Sequence, residues 1–132
     1  MATITIATVI DAVGALTADT LSGSTYLMDT NKMYGSIGVG TENLQTLVNK
    51  DDELIWTVWA LEVEVYVAIK DIIIDSKYCQ PEEMKYDGTD ISYWVGEVKR
   101  NIREPVSYQI KFQVGNRKET MTLSTPFLIG RS

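Results

Sequence analysis

The most constraining feature of this sequence is a two-residue alternation of apolar and polar side chains that recurs along the chain. Near the start, Ile4, Ile6 and Ile10 share one phase, while Thr3 and Thr5 share the other. Because side chains on a β-strand point alternately to its two faces, this rhythm predicts strands that bury one face. Val (12), Ile (13) and Thr (14), which favour strands, supply 39 of the 132 residues. The pattern predicts an all-β protein without a convincing helix.

About eight short strands separated by turn signals are expected, in a single domain that spans residues 1–132. They fall at residues 2–10, 26–29, 44–48, 54–61, 62–70, 93–98, 109–114 and 121–124. The fourth and fifth of these strands are the most informative, because residues 54–61 are apolar on both phases and residues 62–70 are apolar on only one. Residues 76–92 are expected to be irregular. This arrangement predicts an antiparallel β-sandwich of jelly-roll-like type.

Charge and composition exclude several classes of protein. The formal net charge of -6 has the wrong sign for a nucleic-acid binder or a polybasic membrane-surface protein. The absence of His excludes His-based catalytic triads and His-ligated zinc sites. A single cysteine, Cys79, rules out an internal disulfide and suits a reducing compartment. The N-terminus alternates like a strand instead of resembling a signal peptide, and no apolar run is long enough to span a membrane, so we expect a cytoplasmic protein.

The candidate ligand-binding residues are Tyr66, Glu62 and Glu64, which would share the wet face of the strand predicted at residues 62–70. Two carboxylates about 7 Å apart on one strand can in principle catalyse glycoside hydrolysis. Solvated charges that keep one face wet are the more common outcome. An aromatic ring beside carboxylates also suits the stacking and hydrogen bonding of a sugar. Trp59 is a candidate for a partner interface.

Metal and cofactor sites are not expected. The segments Asp29-Thr30-Asn31 and Asp87-Gly88-Thr89-Asp90 present oxygen ligands of the kind that calcium binds, but these residue types are also the default residues of turns. Neither segment matches the twelve-residue calcium loop. The glycines of residues 35–40 lack phosphate-loop spacing, and Cys79 lacks a base to activate it. We therefore expect neither a metal nor a cofactor, and no catalytic residue.

Four short segments resemble the AidA/PixA-like family of bacterial inclusion-body proteins. They are Val9-Ile10-Asp11, Tyr26-Leu27-Met28-Asp29, Tyr93-Trp94-x-Gly96-x-Val98 and Pro126-Phe127-Leu128. The resemblance implies an all-β sandwich, made without a signal peptide, that accumulates in the cytoplasm or acts in host association. It carries over no catalytic residue.

These observations favour a non-enzymatic protein that binds partners or assembles with itself. Exposed strand edges or the Trp59 side of the central strand would mediate the self-association. A lectin-like carbohydrate-binding module using Tyr66 is the first alternative. An accessory protein of a bacterial toxin system, bound to a protein partner, is the second. A hydrolase comes last, because carboxylate chemistry alone would have to support it.

Overall fold

Strands dominate the computed structural model, which describes residues 2–89 and 91–130. In that part of the chain there are eleven strands and one short α-helix, with a single 3-10 turn at Lys32–Tyr34. In chain order the elements are β1 (Thr3–Ile10), α1 (Ala12–Ala18), β2 (Thr25–Asp29), β3 (Gln45–Leu47), β4 (Glu53–Ala60), β5 (Val67–Ile73), β6 (Glu82–Lys85), β7 (Ser92–Glu97), β8 (Val106–Ser107), β9 (Gln109–Val114), β10 (Met121–Leu123) and β11 (Phe127–Ile129). The all-β prediction is confirmed.

The strands form three sheets. The largest has five strands in the order β2-β1-β4-β7-β6, and two three-stranded sheets have the orders β10-β9-β5 and β3-β11-β8. The predicted hairpin at residues 109–124 is present, with Phe112 of β9 opposite Met121 of β10. The predicted antiparallel arrangement is wrong at two pairings, because β1 runs parallel to β4 and β3 runs parallel to β11, whereas the other pairings are antiparallel. The strand number also exceeds the eight expected, since several strands have only two to four residues.

One cluster of buried side chains is shared by the sheets. Trp56 of β4 is fully buried, and its indole Nε1 donates to the Tyr108 hydroxyl at 3.3 Å. Trp94 of β7 donates through Nε1 to the Ile69 carbonyl oxygen of β5 at 3.0 Å. These two bonds satisfy buried polar atoms and connect the five-stranded sheet to chain segments on the other side of the core.

The helix α1 contradicts the expectation that the chain lacks a helix. It has seven residues, and its sequence Ala-Val-Gly-Ala-Leu-Thr-Ala is too short to display a helical hydrophobic period. Asp11 is its N-cap, and its side chain accepts a hydrogen bond from the Gly14 backbone N–H at 3.0 Å. A helix of this length depends on its caps and on the burial of Ala12 and Ala15.

The strand predicted at residues 62–70 is wrong in its first half. The chain leaves the five-stranded sheet at the end of β4, and residues 61–66 form a connection to β5 in another sheet. Val63, predicted on the buried phase, is fully exposed, whereas Ile69 is buried. Val and Glu alternate in the sequence of this connection, but the connection is not a strand. Residues 61–66 are called the crossover loop below.

The stretch expected to be irregular at residues 76–92 contains β6, which pairs with β7 at one edge of the five-stranded sheet. All four of its residues are exposed. Because the strand buries no side chain, its sequence shows no alternation of apolar and polar residues. The strand forms because β7 offers it a ladder of backbone hydrogen bonds. In the described residues, no helix is long and apolar enough to cross a membrane.

Candidate functional site

The five-stranded sheet has a second face, turned away from the shared core, and its centre is apolar. Register and burial show that alternate residues of each strand point outward, so that Val9, Trp59 and Tyr26 form one row across three strands. A second row includes Met28, Thr57 and Tyr93. We call this surface the outer face. Its side chains are Tyr26, Met28, Ala7, Val9, Ile55, Thr57, Trp59, Tyr93, Val95, Met84, Tyr86 and Ile91.

Six of these side chains are large and well exposed. Trp59 and Ile91 each expose 63% of their surface, and Tyr26, Met28, Met84 and Tyr86 expose between 39% and 49%. The rings of Tyr86 and Tyr93 pack together with their centroids 4.6 Å apart. Trp, Tyr and Met are the residue types enriched at the centres of protein interfaces. The outer face therefore has the composition of a binding surface.

The two ends of the outer face differ in charge. At the end where β4 begins, Glu53, Glu82 and Glu97 border a shallow depression of about 530 Å³. Glu53 and Glu97 lie directly opposite each other on β4 and β7. In the part of the chain that the structure describes, no group of three acidic or cysteine side chains is placed to hold a metal ion. Among the described residues of the outer face, the charged side chains lie at its ends and none lies in its middle.

At the other end, where β4 gives way to the crossover loop, Trp59 borders a pocket of about 460 Å³, here called the Trp59 pocket. Trp59, Tyr66 and Ile91 are its exposed hydrophobic side chains, together with the fully exposed Val63. The complete lining is Val58, Trp59, Ala60, Glu62, Val63, Val65, Tyr66, Val67, Ala68, Ile91 and Ser92. The volume lies within the range of small-molecule sites.

The structure brings two of the three sequence-predicted site residues to the Trp59 pocket. Tyr66 and Glu62 line it and Glu64 does not. Glu62 is already occupied, because its two carboxylate oxygens accept hydrogen bonds from the backbone N–H groups of Ala12 (2.9 Å) and Val13 (3.1 Å) at the start of α1. The hydrogen bond from the Val13 N–H, followed by that from the Ala12 N–H, holds the pKa of Glu62 below its ordinary value. Glu62 thus fixes the crossover loop to the helix.

The candidate calcium segments serve as turns. An Asp29 carboxylate oxygen accepts from the Asn31 backbone N–H at 2.9 Å, and the Asn31 amide donates to the Leu47 carbonyl oxygen at 2.7 Å. In the second segment, the Thr89 hydroxyl and backbone N–H both donate to the Tyr86 carbonyl oxygen. Asp90 lies outside the described residues. Cys79 is buried, and burial raises the pKa of its thiol to about 11.

Sequence reasoning singled out Trp59 but missed most of the outer face. Tyr86 and Met84 lie in or beside an edge strand that the alternation does not reveal, and Ile91 precedes a strand. The signal that was available is their composition, because four large apolar or aromatic side chains lie within residues 84–93, namely Met84, Tyr86, Ile91 and Tyr93.

A family model described as a domain of unknown function (DUF8788) matches residues 2–120. The chain belongs to this family. Its fold is similar to that of a solved structure, an inclusion body protein (PixA) from Burkholderia cenocepacia J2315, with a TM-score of 0.69. The match covers 97% of this chain and 91% of that one, at 13% sequence identity. No curated protein sequence matches the chain significantly.

The similarity extends over nearly all of this DUF8788 chain, so the whole arrangement of sheets has a counterpart in the PixA structure. At this level of identity the comparison shows the fold alone. It agrees with the all-β character implied by the four resembling segments. Two of these segments, Val9-Ile10-Asp11 and Tyr26-Leu27-Met28-Asp29, lie at the end of β1 and in β2.

Proposed function

We propose that this chain is a non-enzymatic, self-associating protein of the bacterial inclusion-body type, which accumulates in the cytoplasm and docks a second copy of itself on the outer face. The observation that carries the proposal is the uncovered apolar surface of the outer face, at one end of which Trp59 is well exposed. The fold similarity to a protein called an inclusion body protein supports it.

The size of the outer face matches what a second copy needs. Its six well-exposed side chains together present on the order of 600 Å², since large aromatic side chains carry roughly 150–250 Å² each. The half-buried Ile55, Tyr93 and Val95 add to this area. A stable interface buries about 800 Å² on each partner. A patch of this size, with its carboxylates at one rim, is suited to an apolar interface between copies.

The exposed strand edges are less suitable for assembly. The edge strand β6 carries Glu82, Glu83 and Lys85, and charges on an edge oppose strand addition. The opposite edge strand, β2, is partly occupied, because Leu27 exchanges backbone hydrogen bonds with residues 40 and 41. The outer face is therefore the surface we assign to self-association.

A non-enzymatic role fits the chemistry of the chain. The sequence has no His to serve as a base, and the buried Cys79 thiol has a raised pKa. The Glu62 carboxylate, which a glycoside hydrolysis mechanism would need, is held by two backbone N–H groups.

Light scattering coupled to size-exclusion chromatography at increasing protein concentration tests the proposal. We expect the wild-type chain to associate and Trp59→Ser to weaken the association by roughly tenfold or more, as for a Trp side chain that becomes buried in an interface. Ile73→Ser is the matched control, because Ile73 is 46% exposed but belongs to β5 in another sheet. A wild-type chain that stays monomeric contradicts the proposal. Equal weakening by both variants contradicts the assignment to the outer face.

A carbohydrate-binding role is the second candidate, and one observation favours it. Trp59 and Tyr66 border the same pocket, and aromatic rings on the wall of a pocket suit sugar faces. A glycan array, read with and without calcium, tests it. Binding that is lost in Tyr66→Ala while self-association persists supports a sugar site, and an array without binding removes this candidate.

A further inference from the structure

The β5–β6 and β7–β8 connections form a pocket that is lined by basic residues, unlike the apolar outer face. It has a volume of about 360 Å³ and is lined by Lys77, Tyr78, Arg100, Asn101 and Arg103. We call it the basic pocket. Its lining contains three cations, one amide and one aromatic ring, and no carboxylate. The chain as a whole has a formal net charge of -6, so the positive charge of this pocket contrasts with the overall charge of the protein.

The cations of the basic pocket have no carboxylate partner. In residues 2–89 and 91–130, the ion pairs are those of Arg117 with Asp19 and Glu119. The nearest carboxylate along the β5–β6 connection belongs to Asp75, which accepts a hydrogen bond from the Lys77 backbone N–H at 3.0 Å. No ion pair among the described residues involves Lys77, Arg100 or Arg103, and the Lys77 Nζ lies 5.1 Å from the centre of the Tyr78 ring. An anion bound among these like charges would offset their mutual repulsion.

The backbone beneath the basic pocket is held in place. Val98 and Ile102, on either side of Arg100, are buried, and Cys79 is buried next to Tyr78. The Lys99 backbone N–H donates to the Tyr78 carbonyl oxygen at 2.8 Å, and its ammonium group donates to the Ser76 carbonyl oxygen at 3.0 Å. These contacts join the two connections. A fixed backbone lowers the entropic cost of gathering long cationic side chains around a ligand.

We propose that the basic pocket binds the phosphate or diphosphate group of a small molecule. Two guanidinium groups offer forked pairs of N–H donors that match phosphate oxygens, and an ammonium group adds a third charge. The Asn101 side-chain oxygen accepts from the Lys50 backbone N–H, so its amide NH₂ is the group that can face an anion. This site is separate from the outer face, and its occupancy does not depend on self-association.

Isothermal titration calorimetry with pyrophosphate at low ionic strength tests the proposal, with inorganic phosphate and sulfate as smaller anions. We expect pyrophosphate to bind most tightly, with an affinity that falls as salt is added. Arg100→Ala and Arg103→Ala should each weaken binding by about tenfold, since each removes charge-assisted hydrogen bonds. Lys118→Ala, which removes an exposed charge in the β9–β10 connection, is the matched control and should leave the affinity unchanged.

Two results would overturn the proposal. The first is that the wild-type chain does not bind pyrophosphate. The second is that Lys118→Ala loses as much affinity as the arginine variants. A chain that binds poly-glutamate but not pyrophosphate would instead identify the basic pocket as a contact for an acidic protein. Urea unfolding of each variant verifies that the fold is retained. Repeating the titration on Trp59→Ser separates this result from that of the proposed self-association.

Discussion

At the scale of single residues, the start of α1 shows how a very short helix is stabilised. The first four N–H groups of a helix lack partners within it. Here Glu62 accepts from Ala12 and Val13, the Asp11 side chain accepts from Gly14, and the N–H of the N-cap Asp11 donates to the Ser24 carbonyl oxygen. All four donors have a partner, and Glu62 of the crossover loop accepts from two of them. Two carboxylates at a helix N-terminus also interact favourably with its dipole.

This arrangement predicts a pH-dependent contribution of Glu62 to stability. Because its pKa is lowered in the folded chain, the contribution is present above the ordinary value of 4.5 and is lost as the pH falls through the folded-state pKa. Glu62→Gln, which offers one acceptor oxygen instead of two, should be less stable than wild type at neutral pH. The difference should shrink on acidification. Urea unfolding midpoints of both chains, measured from about pH 7 to about pH 3, test this.

Glu64→Gln is the control for that comparison. Glu64 is exposed in the same loop, and in the part of the chain that the structure describes the carboxylate that binds the start of α1 is that of Glu62. We expect its unfolding midpoint to follow that of wild type across the pH range. A Glu62→Gln deficit that stays constant with pH would show that the helix contact does not depend on the carboxylate charge.

At the scale of elements, the packing of β7 against the β5–β6 connection requires a glycine. A Cβ atom added at Gly96 would lie 2.5 Å from the Cys79 Sγ atom and 3.4 Å from the Pro81 Cα atom. Real Cβ atoms do not approach sulfur so closely, so a larger residue would displace the connection. The sequence Tyr93-Trp94-x-Gly96 thus combines a buried Trp with a position that admits only hydrogen.

Gly96→Ala should therefore destabilise the fold by about 1–3 kcal/mol, the usual cost of overpacking a filled core. Cys79→Ala in the same chain should recover part of this loss, because it removes the sulfur that the new Cβ meets. Chemical unfolding of the two single variants and the double variant measures the coupling. Additive losses would mean that β7 or the connection shifts to avoid the contact. In the wild-type fold, the buried thiol should react slowly with thiol reagents.

The elements also show why some of the fold could be predicted from the sequence and some could not. β1 and the β9–β10 hairpin were predictable because each strand buries alternate residues, so that its sequence shows the period of a strand. β6 buries none, and α1 is too short to show a helical period. The crossover loop keeps a strand-like alternation without being a strand, since Val63 faces solvent.

The candidate site was predictable to a similar degree. Trp59 and Tyr66 stood out by residue type, and both line the same pocket. The role of Glu62 was not predictable, because its partners at Ala12 and Val13 lie about fifty residues earlier in the chain. A contact of that range follows from the crossover between sheets, and periodicity contains no information about it.

At the scale of the whole molecule, the three tryptophans report on different surroundings. Trp56 and Trp94 are buried in the shared core, and their indole N–H groups donate to protein oxygens. Trp59 lies on the outer face with 63% of its surface exposed. Packing of a second copy on that face would remove Trp59 from water while leaving the surroundings of the other two unchanged. Fluorescence therefore distinguishes association at the outer face from association elsewhere.

We expect the tryptophan emission of the wild-type chain to shift to shorter wavelength as protein concentration rises, because a buried indole emits at higher energy than a hydrated one. Trp59→Phe should show no such shift, since its remaining indoles are already buried. The thermal midpoint of the wild-type chain should rise over the same concentrations, because association stabilises the folded state by mass action. If light scattering detects association while the emission stays constant, the copies meet through another surface, and the assignment of the outer face is wrong.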